Sequence, residues 1–188
     1  MKKLLSLMVL LSTLQSVCAP AEVEVVVVDY KTEALEIQTY YQTLVKTGDK
    51  KVTPDIRVIE HTLQAIDHTL PTYFPNGPFT REDFIAIAML ESDFHQYELG
   101  TSGERGIFQI MKHNVKGKKA WDQAFNIDLN TKLAMKVMSW KSVEQKGDFK
   151  KTVIAYNGVV KHHGHVNEKY WRTFLKHKHI VEDVLVEK

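Results

Sequence analysis

The chain has 188 residues, with 25 Lys and Arg against 23 Asp and Glu, nine His and 44% hydrophobic residues. That length and apolar content suit one domain with a real core and exclude wholesale disorder, while a formal charge of +2 gives no reason to expect a nucleic-acid partner. The single cysteine, Cys18, excludes an intrachain disulfide and a cysteine-rich zinc site.

Met1-Lys2-Lys3 and the nearly unbroken apolar run Leu4 to Leu14 read as the charged and apolar regions of an export signal. The run is too short to span a bilayer comfortably. Ala19-Pro20-Ala21 puts small residues where a signal peptidase reads, so cleavage is expected after Ala21. Residues 1–21 are then a signal peptide, and the mature chain is periplasmic or secreted, without stable membrane insertion. The alternatives are an uncleaved anchor or lipidation at Cys18. Against lipidation, Gln15-Ser16-Val17 lacks the small residue expected just before a lipidated cysteine. Cleavage removes Lys2, Lys3 and Cys18 but no acid, leaving a cysteine-free, formally neutral chain.

Residues 22–52 read as an N-terminal arm. Glu22 to Asp29 has strong β propensity, and Tyr30 to Lys46 carries Ala34, Ile37, Tyr41, Leu44 and Val45 at helical spacing. A domain over residues 53–179 follows. Thr53-Pro54-Asp55 resembles a helix start, with Thr53 as cap, before the stripe Ile56, Ile59, Leu63, Ile66 and Leu70. Pro71 to Pro78 is expected to be a loop. Thr80-Arg81-Glu82-Asp83 opens the next helix with a near capping box. Glycines and lysines interrupt the pattern from Gly100 to Lys119. Asp128-Leu129-Asn130 then opens a helix carrying Leu133, Val137, Met138 and Val143, and Asp148 caps another through Tyr156 that Gly158 ends. Tyr170 to Lys176 is a last helix, and residues 180–188 a polar tail. The reading is mainly α.

In the helix from Thr80, the residues Phe84, Ile87, Ala88 and Glu91 follow i, i+3, i+4, i+7, and Phe94 continues the face. Glu91 therefore sits on the stripe that faces the core. A buried carboxyl has a raised pKa and suits a general acid near neutral pH. Periodicity alone leaves open a Glu snorkelling at the edge of the face or paired with Arg or Lys.

Three blocks extend this. Glu91-Ser92-Asp93-Phe94, then Gly103-Glu104-Arg105-Gly106-Ile107-Phe108-Gln109, then Ala155-Tyr156-Asn157-Gly158 resemble, in order and separation, the soluble (Slt-type, goose-lysozyme-like) lytic transglycosylases. The resemblance covers Asp55 to Phe174. It implies a lysozyme-like domain with a substrate cleft that cuts the β-1,4 bond between N-acetylmuramic acid and N-acetylglucosamine in peptidoglycan. It further implies Glu91 as sole acid and then base, a 1,6-anhydromuramyl product, and no cofactor. Gln109 would meet sugar hydroxyls or an N-acetyl group, and Tyr156 would hold the substrate near Glu91. Ser102, Phe108, Asn157 and Tyr170 complete the candidate substrate contacts, with core packing an equal reading for Tyr170 and Trp171. Asn157-Gly158 also reads as a helix end with glycine in the left-handed position. The alternatives are a muramidase hydrolysing the same bond and a non-catalytic wall-binding assembly component.

The chain departs from the family pattern at Gly100, where serine is common, and at Glu104, where alanine is usual. Glu104 reads as solvated or paired with Arg105, or as a second carboxylate that orients water. His162-His163-Gly164-His165 is read as surface or sugar-contacting rather than as a metal site. Trp121 and Trp140 are expected in the core. The expected partner is the glycan strand. The segment at 22–51 could dock a cell-envelope machine or phage apparatus, or simply brace the domain.

Overall fold

The structure, a computed structural model, describes residues 28–158, 161–162 and 165–185. It is mainly helical. Helices α1 (Tyr30–Thr47), α2 (Ile56–Tyr73) and α3 (Arg81–Ser92) lead into a glycine-containing loop, a 3-10 turn at Lys112–Asn114 and the short α4 (Lys118–Asp122). Next come α5 (Ile127–Glu144) and α6 (Phe149–Tyr156). Strands β1 (Lys161–His162) and β2 (His165–Val166) pair antiparallel, and α7 (Glu168–Leu185) ends the described chain. The expected signal peptide and nearly all of the expected strand at Glu22 to Asp29 lie outside the described residues, as do the side chains of the histidine cluster. No described helix is long and apolar enough to cross a membrane.

α3 lies in the middle. Its capping box forms as expected: Thr80 N–H donates to Asp83 at 2.8 Å, and Asp83 N–H to the Thr80 hydroxyl. Asp83 is fully buried and takes a further bond from Lys178 of α7 at 2.5 Å. Phe84 through Met89 are all buried, so apolar residues surround this helix rather than marking one stripe. α7 covers one side, and Phe74, Phe79 and Phe108 pack around Phe84.

The N-terminal arm is part of the same core. Ala34, Ile37 and Tyr41 of α1 are buried, and α1 packs on α2 and α7. It also holds both ends of α3. At the start, Arg81 bonds Glu33 of α1 and, at 2.9 Å, Asp67 of α2. At the finish Asp93, the C-cap residue, takes the left-handed conformation (φ 52°). Its carboxylate is gripped there by the Tyr41 hydroxyl at 3.0 Å and by Lys50. A non-glycine residue is unfavourable in that conformation, and these two bonds offset the cost.

Several boundaries differ from the sequence reading. Asp55, not Thr53, caps α2, because its carboxylate accepts from Arg57 N–H at 2.9 Å. α2 runs through Pro71 to Tyr73, since a proline in the final turn forfeits only one helix bond. Asn126, not Asp128, caps α5, accepting from Leu129 N–H at 2.9 Å. α7 continues past Lys176 to Leu185, with Val181 buried, so the expected polar tail is largely helix. Trp140 is 43% exposed, not core, and lies beneath the Lys136 ammonium.

Candidate active site

Glu91 occupies the last turn of α3 and opens into a pocket of about 500 Å³. The opposite wall is the glycine loop, through Gly100, Thr101, Ser102, Glu104 and Gln109. His113 and Asn114 close one side, Val137 and Lys141 of α5 another, and the end of α6, from Ala155 to Gly158, a third. Burial strips water from the Glu91 carboxyl and pushes its pKa from 4.5 to about 7. A hydrogen bond from Tyr170 favours the ionised form and opposes this rise, while the nearby charge of Glu104 adds to it. Tyr170 donates to Glu91 Oε1 at 2.5 Å. The acid is thus poised to give and take a proton near neutral pH.

Tyr170 stands differently from what was expected, whereas Tyr156 keeps its place on the pocket wall. Tyr170 is buried, and its hydroxyl is committed to Glu91. It positions the acid rather than lining the pocket. Tyr156 does line the pocket, but its hydroxyl donates to the Phe108 carbonyl at 2.8 Å. Burial and the Glu91 charge push both phenols far up, so both stay protonated. The Phe108 ring is fully buried against Phe84, so it cannot reach a ligand in the pocket. Ser102, Gln109 and Asn157 do line it. Gly158 takes the left-handed conformation expected of a helix terminus (φ 79°). Trp171 stacks on Phe174 and meets Phe149 edge-on, away from the pocket.

The glycine loop is held from beneath by a residue that the sequence reading took only as part of a helix start. Asn130 of α5 is buried. Its amide oxygen accepts from Phe108 N–H at 2.8 Å, and its nitrogen donates to the carbonyls of Arg105 (2.9 Å) and Ala124 (2.7 Å). Gly106 has φ 77°, and a Cβ there would come within 2.6 Å of the Asn130 nitrogen, so only glycine fits. The signal for Asn130 was present: it shares the apolar face of Leu133, Ala134 and Val137, as Glu91 shares that of Phe84, Ile87 and Ala88. Ser92, beside Glu91, ties α3 to the same loop by donating to the Ile107 carbonyl at 2.8 Å.

Glu104 is not paired with Arg105. The Arg105 guanidinium lies over the Trp121 ring at 4.2 Å and donates to the Trp121 carbonyl at 3.0 Å. Glu104 instead turns into the pocket, where its Oε2 accepts from Ser102 N–H at 2.9 Å. Asp93, engaged with Tyr41 and Lys50, takes no part in the site. A second depression of about 590 Å³ lies between α2 and the segment Phe94 to Tyr97. Its acid, Asp55, is held below the usual carboxylate range by Arg57, the reverse of what an acid catalyst needs.

The domain is helical and sets the Glu91 carboxyl, with Glu104, at a pocket walled by a glycine loop, an arrangement of the lysozyme-like class. Residues 80–177, just over half of the chain, match the model of the transglycosylase SLT domain, and the chain belongs to that family. The match begins at the α3 cap and takes in Glu91, the glycine loop, Tyr156 and Tyr170. The family is one of lytic transglycosylases that act on peptidoglycan. No curated protein and no solved structure matches the chain.

Proposed function

We infer that this protein cleaves the β-1,4 bond between N-acetylmuramic acid and N-acetylglucosamine with Glu91 as acid and then base, forming 1,6-anhydromuramyl ends. The observation that carries this reading is the carboxyl of Glu91, desolvated to a pKa of about 7 and facing a pocket. Protonated Glu91 gives its proton to the glycosidic oxygen as the bond to C1 breaks. The 2-acetamido group of the muramic ring stabilises the positive centre. Glu91, now ionised and held by the Tyr170 hydroxyl, takes the proton of the C6 hydroxyl as that oxygen closes on C1. No water is consumed. A pKa near the working pH serves both halves of this cycle, since the group must lose and regain a proton at each turnover.

Gln109, Ser102, Asn157 and Tyr156 line the pocket and serve the sugar; Phe108 and Tyr170 support the site from behind. The glycan strand is the partner of this reading, with export after cleavage near Ala21 bringing the enzyme to the periplasm. In the same reading the catalytic domain expected at 53–179 extends through α7 to Leu185 and packs against α1. The test is mass spectrometry of peptidoglycan digested by wild type and by Glu91→Gln. Anhydromuramyl ends released by wild type and lost in the variant support the proposal. Reducing ends alone would make the enzyme a hydrolase, and no release from any peptidoglycan would leave a binding component.

A further inference from the structure

Glu91 is followed, after Ser92, by two consecutive non-glycine residues in the left-handed region, Asp93 at φ 52° and Phe94 at φ 61°. Each is unfavourable there, and such strain persists only where the surroundings over-determine it. One tyrosine holds both. The Tyr41 hydroxyl donates to Asp93 Oδ1 at 3.0 Å, and its ring meets that of Phe94 edge-on, 6.5 Å between centroids. Lys50 takes the other oxygen, Asp93 Oδ2. Tyr41 and Lys50 belong to the N-terminal arm and precede residues 80–177, the part that matches the family. The grip on the end of the acid-bearing helix therefore comes from outside the matched segment. Two further ties fix the same turn: Ser92 donates to the Ile107 carbonyl at 2.8 Å, and Tyr170 to Glu91 itself. At the other end of α3, Arg81 bonds Glu33 of the arm.

We propose that Tyr41, Lys50 and Asp93 are positioning residues, through which the N-terminal arm clamps the last turn of α3 and sets where Glu91 presents its proton. The inference rests on Glu91 being the acid that breaks the glycosidic bond. Asp93 stays out of the pocket and carries its charge paired with Lys50, so it reaches the acid through the backbone of the turn. That route is enough to govern the rate. Proton transfer needs the carboxyl within about 2.6–3.2 Å of the leaving oxygen, and a displacement of about 1 Å costs about a hundredfold. The arm is then a working part of the active site as well as a brace for the domain.

Asp93→Gly separates the two things Asp93 does, because glycine adopts the left-handed conformation freely but gives Tyr41 and Lys50 nothing to hold. The test is the rate of peptidoglycan cleavage per folded molecule, with anhydro and reducing ends counted together by mass spectrometry and the folded fraction taken from circular dichroism. Asp93→Gly should lower kcat about tenfold and leave KM within about twofold of wild type. Lys50→Met should lower kcat about threefold, and Lys50→Arg, which still pairs with a carboxylate, should restore most of it. The Lys50 side chain is 36% exposed, so Lys50→Met reads the same grip even where Asp93→Gly fails to fold. A kcat within about twofold of wild type in every folded variant would overturn the inference and leave the arm a brace, as would a loss carried by KM alone. Release of neither kind of end by wild type would instead overturn the assignment of the cleavage itself, and this inference with it.

Discussion

Replacing Glu91 by Gln is expected to stabilise the fold at alkaline pH and to leave it unchanged at acid pH. A carboxyl whose pKa rises from 4.5 to about 7 on folding binds its proton more tightly in the folded state. Its contribution to stability is complete below pH 4.5 and is lost as the pH rises through about 7, because the fold must then hold an ionised group in a desolvated place. At about 1.36 kcal/mol per pKa unit, wild type loses about 3 kcal/mol between those limits. Gln has the same shape, carries no charge at any pH and keeps an oxygen to accept the Tyr170 hydroxyl. The difference between the two proteins therefore isolates the ionisation. For a domain of this size the variant should melt about 6–12 °C above wild type at about pH 8, and within about 2 °C of it at about pH 4. Thermal unfolding followed by far-UV circular dichroism across that range measures it. A gap in Tm that does not widen with pH would refute the claim that burial raises the Glu91 pKa.

Tyr170→Phe removes the hydrogen bond that favours ionised Glu91, so the Glu91 pKa should climb further. The alkaline limit of kcat/KM should move up by about one pH unit, the difference between a hydrogen bond to a charged and to a neutral acceptor; a limit that stays or moves down contradicts the role given to Tyr170. Asn130→Ala leaves Phe108 N–H and the carbonyls of Arg105 and Ala124 without their partner. Urea unfolding should show a loss of about 2–4 kcal/mol, and a loss below about 1 kcal/mol would mean that the glycine loop holds its shape without this amide.

Much of the molecule was legible in the order of its residues. The caps at Thr80 and Asp148 formed as read, because a capping side chain bonds backbone only two or three residues away and needs no tertiary partner. Boundaries decided by competing caps or by proline were misplaced by a few residues, since Thr53 and Asp55 are both adequate and only packing selects between them. The end of α7 was hidden because the segment from Ile180 to Leu185 mixes acids with apolar residues, and it holds as helix with Val181 buried in the core.

At the site, sequence alone singled out Glu91 and the glycine loop, which share one pocket. Helical spacing lined Glu91 up with Phe84, Ile87 and Ala88, although the whole middle of α3 is buried, and the ordered glycine, glutamine and tyrosine blocks marked the walls of a pocket. What only the tertiary structure decided is which group each side chain spends its hydrogen bond on. Tyr170 turned from wall to support because α7 packs along α3 and brings its hydroxyl to Glu91. Phe108 turned inward because Asn130 fixes its backbone N–H. Glu104 turned toward the pocket because Arg105 is taken by Trp121 and Gly100 leaves room. Spacing along a chain fixes which face a residue occupies, but its partners come from distant segments. For the buried Glu91 carboxyl, loss of water raises the pKa and those partners adjust it.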